Sequence, residues 1–254
     1  MKAWNWLRLT AGISVVIFLV AARAQATIAY NYAGGLLGNQ ANGPFALGMV
    51  FDVGASPISV DQLGAFDSGG DGFGGDLSVA IYSVTLSGNN IIGGTLAVNP
   101  VTFSIANPGT LLSGTTTRVL DIPSVQLNSG TYMVVANNYG TGGAEVDYNQ
   151  GYTPLAPNPN SVNTSGGALT FSGNYYVSLT VSSWMSSLSG TWTYDVGGDP
   201  GPGTTLIPRY AAGNFDYALI PEPEVSRLAM TGAGLLGLGC LVRQARRRRN
   251  TKLA

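Results

Sequence analysis

The sequence predicts an all-β protein, an antiparallel β-sandwich of jelly-roll-like type flanked by two terminal apolar segments. Two observations carry this prediction: apolar side chains recur at every second residue in several short stretches, and clusters of Gly, Pro and Asn separate those stretches. Of the 254 residues 45% are apolar, which suffices for a buried core. The sharpest internal break, the proline-rich stretch 154–161, is short enough to be a loop, so we predict one domain over residues 27–219.

Five stretches have the period-two pattern of a half-buried strand, in which successive side chains point to opposite faces of a sheet. In the first, large apolar residues alternate with smaller or polar ones from Phe45 to Val53. The other four begin at these residues: Leu77, Tyr132, Tyr175 and Trp192. Turn signals such as Ser87-Gly88-Asn89 and Asn128-Ser129-Gly130 lie between them. We find no helical periodicity before residue 220, which favours antiparallel sheets joined by turns.

Residues 1–26 have the composition of a helical secretory signal peptide. Lys2 and Arg8 supply its positive charge, and the apolar segment 11–22 is shorter than a membrane span. Ala24 and Ala26 provide the small side chains of a cleavage site, so we expect signal peptidase to cut after Ala26. A cut after Ala24 and an uncleaved anchor are the alternatives. This segment predicts export through Sec-type machinery.

Residues 220–254 contain three parts in a fixed order. Pro221, Glu222 and Pro223 come first, and the apolar, helix-forming stretch 228–242 follows. The third part is a cluster of four basic residues: Arg246, Arg247, Arg248 and Arg249. Together they predict a spacer, a short membrane helix and a charge cluster that stays on the cytoplasmic side.

This order of parts resembles the PEP-CTERM sorting signal. The resemblance implies that an exosortase-type membrane protease recognises Pro221-Glu222-Pro223 and removes the tail, after the helix has held the protein transiently in the membrane. A plain single-span anchor is the alternative interpretation, in which the helix is retained. The processed protein would then reside in the cell envelope, at the cell surface or outside the cell.

The middle of the chain is similar, more loosely, to the β-sandwich module of unknown function found ahead of such tails. The similarity lies in these segments: Gly43-Pro44-Phe45-Ala46-Leu47-Gly48, Leu63-Gly64-Ala65-Phe66-Asp67, Val79-Ala80-Ile81-Tyr82, Ser129-Gly130-Thr131-Tyr132 and Gly213-Asn214-Phe215. It implies a sandwich fold, and the module has no established activity that could be transferred to this chain.

The residue inventory argues against catalysis and against nucleic-acid binding. Between residues 27 and 220 two basic residues, Arg118 and Arg209, stand against eleven acidic ones, a net charge of −9 that repels phosphate backbones. The chain has no histidine, and its one cysteine, Cys240, lies in the tail. Histidine-based triads, thiolate nucleophiles and common zinc sites are therefore excluded from the body. We predict a non-enzymatic, exported cell-surface or extracellular-matrix protein.

A glycine-rich stretch contains the candidate metal ligands Asp67, Asp71 and Asp76. Ca²⁺ prefers several carboxylate and carbonyl oxygens, and glycines would let the backbone fold around it, although the spacing is not that of an EF-hand. The alternative is a glycine-rich turn in which the aspartates accept hydrogen bonds from local amides. No cofactor is required by the sequence, and calcium is the one that this stretch could hold.

Two further patterns suggest other functions. Trp184, in a polar setting with serines on both sides, could stack on sugars in a lectin-like, carbohydrate-binding module whose partner is an exopolysaccharide. Glu145 and Asp147 would share one face of a strand and could form the carboxylate pair of a glycoside hydrolase. In each case the alternative is structural: core aromatics for the first, and solvated acids at a strand end for the second.

Overall fold

The computed structural model describes residues 26–32, 37–38, 45–139, 161–178, 188, 192–194 and 212–221. Apart from one 3₁₀ turn at Ser68–Gly70, the regular structure of these residues is entirely β. The predicted all-β class is therefore confirmed for this part of the chain. Its strands are, in order: β1 (Thr27–Ile28), β2 (Tyr30–Asn31), β3 (Phe45–Val53), β4 (Ile58–Phe66), β5 (Leu77–Ser87), β6 (Asn90–Phe103), β7 (Thr110–Leu111), β8 (Thr117–Leu127), β9 (Gly130–Tyr139), β10 (Ser161–Val162), β11 (Leu169–Ser178), β12 (Thr193–Tyr194) and β13 (Gly213–Leu219).

These strands form two large sheets and a small ribbon. The six-stranded sheet has the order β12-β11-β3-β9-β5-β6, the five-stranded sheet has the order β1-β13-β4-β8-β7, and β2 pairs with β10. All of these pairs are antiparallel. The predicted turn after Ser87 connects β5 to β6, and its Gly88 has a φ of +57°, which glycine adopts without a Cβ penalty. The architecture is that of a β-sandwich.

The main core lies between the two sheets. Phe51 of the six-stranded sheet packs against Phe215 of the five-stranded sheet, with ring centroids 4.7 Å apart. Val134 and Leu63, one from each sheet, are completely buried in the same cluster. Burial of aromatic and branched side chains from both inner faces is the main stabilising contribution in such a fold.

Strand β3 differs from the half-buried strand that its alternation predicts. The large residues face the main core as expected, but the intervening Ala46 and Val50 are also buried, in a second apolar cluster that includes Trp192. Small side chains at these positions let a second layer lie close to the outer face of the sheet. At Gly48 an added Cβ would lie 2.6 Å from the sulfur of Met133, so only glycine fits there without a shift. The prediction of one exposed face was therefore wrong for this strand.

The first and last strands are neighbours in the five-stranded sheet. Strand β1 pairs with β13 in the register Thr27 to Tyr217. The Tyr217 hydroxyl donates a hydrogen bond to the Asn163 carbonyl oxygen over 3.0 Å, and the Asn163 side-chain amide donates to Thr27 Oγ1 over 2.7 Å. Thr27 is thus held in place by strand β13 and by the side chain of Asn163.

The predicted signal helix and most of the sorting tail lie outside the described residues. Among the described residues, no helix has the length and apolar character needed to cross a membrane.

Candidate functional site

The two predicted processing points flank the paired first and last strands. Ala26 is exposed and precedes β1, and Pro221 is exposed two residues after the end of β13. Because these strands are antiparallel and Thr27 lies opposite Tyr217, the chain enters and leaves the sandwich at the same end of this sheet. Several predicted site residues lie outside the described part: Ala24, Glu222, Pro223, Arg246, Arg247, Arg248, Arg249, Trp184, Glu145 and Asp147.

Asp67, the first residue of the candidate calcium stretch, is fully buried and forms an ion pair with Arg118 of β8. Its carboxyl oxygens also accept hydrogen bonds from the backbone N–H of Gly72, each over 3.1 Å. The φ angles of Gly69 and Gly72 are +79° and +104°, which explains why the turn is built from glycine. Asp67 therefore accepts hydrogen bonds from a local amide, as in the glycine-rich turn that is the alternative to a calcium site.

Arg118 extends this arrangement to two other segments. Its Nη1 donates to the Gly109 carbonyl and its Nη2 to the Gly70 carbonyl, each over 3.2 Å. The side chain of Arg118 is only 14% exposed. The guanidinium therefore links the glycine-rich turn to strand β8 and to the loop before β7, while it neutralises the buried carboxylate.

The other two candidate calcium ligands stand apart from this pair. Asp71 and Asp76 are both exposed at the surface. Within the described part of the chain, no group of three or more acidic, histidine or cysteine side chains is placed to hold a metal ion. Calcium binding at this turn stays a prediction, and one of its three candidate ligands is engaged by Arg118.

Asp216 of β13 is a carboxylate in a different environment. It lies opposite Ile28 of β1 on one side and opposite Gln62 of β4 on the other. The backbone N–H of Thr27 acts on its carboxyl group to lower the pKa. Its Oδ1 atom is buried and has no hydrogen-bond partner among the described residues. One oxygen of this side chain thus lacks a hydrogen-bond donor among the described residues.

A second carboxylate lies beside Asp216. Asp61 is the extra residue at a β-bulge in β4, which has a register shift at this point toward both of its neighbours. Burial, and then the charge of Asp61, raise the pKa of Asp216 to about 6, although the Thr27 backbone N–H acts in the opposite direction. The bulge therefore brings two like charges together.

The described residues contain no cation that could balance this pair. Their one basic side chain is that of Arg118, which is engaged by Asp67. The neighbouring Gln62 donates its amide to Asp121 on β8, over 2.6 Å. The outer face of the five-stranded sheet is therefore acidic around Asp216.

Four aromatic residues of the described part make structural contacts: Tyr175, Tyr176, Trp192 and Tyr194. Tyr175 and Trp192 are buried in the second apolar cluster, and the rings of Tyr175 and Tyr194 make an edge contact at 5.2 Å. Tyr176 makes a similar contact with Phe45 at 5.9 Å. The environments of these four residues favour a structural role over an exposed surface for sugar binding.

No protein-family model, no curated protein and no solved structure matches this chain. Its function is therefore inferred from its residues and their geometry.

Proposed function

We propose that this chain is an exported, non-enzymatic protein of the cell surface or extracellular matrix, sorted through a PEP-type C-terminal signal. Its signal peptide is removed after Ala26, and its tail is processed at Pro221-Glu222-Pro223 by an exosortase-type protease. The arginine cluster at 246–249 keeps the tail oriented in the membrane until then. The sandwich between the two cuts is the mature cargo.

One observation carries this proposal: the strands of the sandwich occupy the interval between the two expected cuts. Strand β1 begins at Thr27, one residue after the expected signal-peptidase site, and β13 ends at Leu219, two residues before Pro221. The paired end strands let both cuts occur at one end of the domain without loss of any described strand. All described strands lie between the two expected cleavage sites, as a protein that is cut at both ends requires.

The finer features of the fold belong to the same proposal. We assign a jelly-roll-like connectivity to the sandwich, which is supported by the passage of the chain from β3 in one sheet to β4 in the other and back to β5. A signal helix and a C-terminal apolar helix flank it, as the composition of residues 1–26 and 228–242 indicates.

The non-enzymatic part of the proposal is supported by the available side chains. Asp61 and Asp216 are the one neighbouring carboxylate pair for which a raised pKa is found in the described residues, a pattern also seen in acid catalysts. However, the unpaired oxygen of Asp216 is buried, so a substrate could not reach it without rearrangement of the sheet. With no histidine in the chain, the usual general base is absent as well.

Processing of the tail can be tested with two matched variants. Glu222→Gln alters the centre of the Pro-Glu-Pro triplet, whereas Glu224→Gln makes the same change two residues later. Both variants and the native protein are recovered from envelope and medium of a host with an exosortase-type protease, and intact masses are measured. We expect the native protein and Glu224→Gln to end near residues 221–224, and Glu222→Gln to retain residues 228–254.

Other outcomes would replace the proposal. Retention of residues 228–254 in all three proteins would indicate a plain membrane anchor. Turnover of a polysaccharide that disappears in Glu145→Gln would indicate a carboxylate hydrolase. Loss of glycan retention in a folded Trp184→Ala protein would indicate a carbohydrate-binding module.

A further inference from the structure

The backbone nitrogen of Thr27 occupies a special position in this structure. It is the atom that signal-peptidase cleavage would release. Thr27 lies opposite Tyr217, one residue along the ladder from Asp216, and its backbone N–H lowers the pKa of the Asp216 carboxyl group. Strand β1 is tied to the sandwich at the following residues, since the Ala29 N–H donates to the Phe215 carbonyl over 2.9 Å. The position of the Thr27 nitrogen relative to Asp216 is therefore set by the sheet.

The chemical environment of Asp216 lacks one component. One of its oxygens is buried without a donor, and Asp61 adds a second negative charge beside it. The described titratable groups nearby are Asp61 on β4 and, beyond Gln62, Asp121 on β8, and both are acidic. A cation with more than one N–H donor would satisfy the orphaned oxygen and also balance the charge.

Cleavage after Ala26 generates such a cation. Hydrolysis of the Ala26–Thr27 peptide bond consumes one water, whose OH goes to the carbonyl carbon of Ala26 and whose hydrogen goes to the nitrogen of Thr27. The Ala26 carboxyl group ionises and leaves with the signal peptide. The nitrogen of Thr27 takes up a proton below its pKa of about 8 and becomes an ammonium with three N–H donors in place of one.

We propose that removal of the signal peptide completes an ion pair between the new α-ammonium group of Thr27 and Asp216, which locks strand β1 onto β13 in the exported protein. Before cleavage, the same nitrogen is an uncharged amide, and no cation among the described residues lies beside Asp216. Removal of the signal peptide thus gives the Asp216 carboxylate a positively charged partner, the ammonium group of Thr27. This inference rests on the proposed export and on cleavage after Ala26.

The pair has a defined pH dependence. Two neighbouring carboxylates raise the pKa of the α-amino group in the folded state above its unfolded value of about 8. While Asp216 is ionised, the stabilisation is complete below that unfolded value and is lost as the pH rises through the higher, folded value of the amino group. It is also lost at acidic pH, when Asp216 takes up a proton. In the same protein the ammonium lowers the pKa of Asp216 relative to the precursor.

The residue composition makes the α-amino group easy to observe. The chain has two lysines, Lys2 in the signal peptide and Lys252 in the tail. The processed protein therefore carries a single amine, and its reaction with acetic anhydride as a function of pH reports the pKa of Thr27 alone. The exported protein is compared with Asp216→Asn, with Asp121→Asn as the matched control, and with a chain one residue longer that begins at Ala26.

We expect the α-amino pKa of the exported protein to exceed that of Asp216→Asn by about one unit. Asp121→Asn should differ from the exported protein by much less, since Asp121 is exposed and interacts with Gln62. In the longer chain, Asp216→Asn should leave the α-amino pKa nearly unchanged, because the ammonium lies one residue farther away.

Equal α-amino pKa values in the exported protein and in Asp216→Asn would overturn the ion pair and leave the export proposal in place. An exported chain that begins at Gln25 would also overturn it without affecting export. A chain that retains residues 1–26 would overturn both, so the two failures are distinguishable by mass.

Discussion

Asp67 and Asp216 belong to the same region of the fold but have opposite electrostatic environments. Asp67 follows β4, is fully buried, and has an arginine and a backbone amide as donors. Asp216 lies on the adjacent strand β13, is half-buried, and has a carboxylate as its charged neighbour. Among the described residues, the carboxylate of Asp67 has a counter-ion and that of Asp216 has none.

This difference separates two roles for a carboxylate in the sandwich. A buried charge with its counter-ion organises a turn and is needed for folding before any processing. A half-buried charge with no cation beside it in the described residues is costly at neutral pH, and under the proposed processing it gains a partner at the new N-terminus. We therefore expect Asp67 to stabilise the fold in every form of the chain, and the effect of Asp216 to depend on the state of the N-terminus.

The largest loss of stability is expected when the ion pair between Asp67 and Arg118 is removed. Arg118→Met leaves Asp67 buried without a counter-ion, and we expect it to lower the free energy of unfolding by about 3–5 kcal/mol. Urea denaturation of the two proteins measures this difference. The double variant Arg118→Met with Asp67→Asn is the control, and it should lose less because no unpaired charge remains. A loss below about 1 kcal/mol in the single variant would mean that the pair is not important for stability.

Substitution of Asp216 is expected to change stability in opposite directions in two forms of the chain. In a chain that begins at Ala26, Asp216→Asn should stabilise the protein at pH 7 by about 1 kcal/mol, a value discounted for solvent screening of a half-buried group. In the chain that begins at Thr27, the same substitution should destabilise it, because the ammonium loses its partner. Thermal unfolding of the four proteins under one buffer condition provides the comparison. The same sign in both chains would contradict the role of the N-terminus.

The pH dependence of the longer chain follows from the raised pKa of Asp216. The folded state binds the proton more tightly than the unfolded state, so stability should fall as the pH rises from about 4 to about 6. Above that window the loss is complete. Asp216→Asn should remove this component of the profile, which denaturation at several pH values would detect, and an unchanged profile would refute the assignment.

A smaller effect is expected from Asp61, the second cause of the raised pKa. Asp61→Asn should move the window of stability loss to lower pH without abolishing it, because burial of Asp216 remains. Asp121→Asn is the matched control, since that carboxylate is exposed and interacts with Gln62. Equal shifts in the two variants would point to the general negative field of the domain rather than to the bulge.

The smallest effect is expected from calcium. Since Asp67 is engaged by Arg118, millimolar Ca²⁺ should change the melting temperature by less than about 1 °C. A rise of several degrees that is lost in Asp71→Asn and in Asp76→Asn would instead establish the calcium site suggested by the sequence.

Local patterns predicted those strands whose alternation is uninterrupted. The bounds of β3, Phe45–Val53, coincide with the predicted stretch, and β5 begins at Leu77 as expected. Strand β4 was missed because the bulge at Asp61 breaks its period of two. Strand β6 was missed because Gly93, Gly94 and Pro100 interrupt its apolar pattern. Bulges depend on the partner strands and are not visible in one strand alone.

The two aspartate sites could not be predicted because they depend on long-range pairing. Arg118 is 51 residues from Asp67, and the signal that could have linked them was the scarcity of basic residues in an acidic body. For Asp216 the alternation of Phe215, Asp216 and Tyr217 indicated an outward side chain. Its neighbours Thr27 and Asp61 follow only from the sheet order.

The most direct test of this account is the N-terminal sequence of the protein recovered from the envelope or the medium. The account predicts Thr-Ile-Ala-Tyr, which begins at Thr27, the first residue of β1. Such a result would place a free ammonium group at Asp216 of the exported sandwich. A sequence that begins at Met1 would contradict both the cleavage proposal and the ion pair, and one that begins at any other residue before Thr27 would contradict the ion pair.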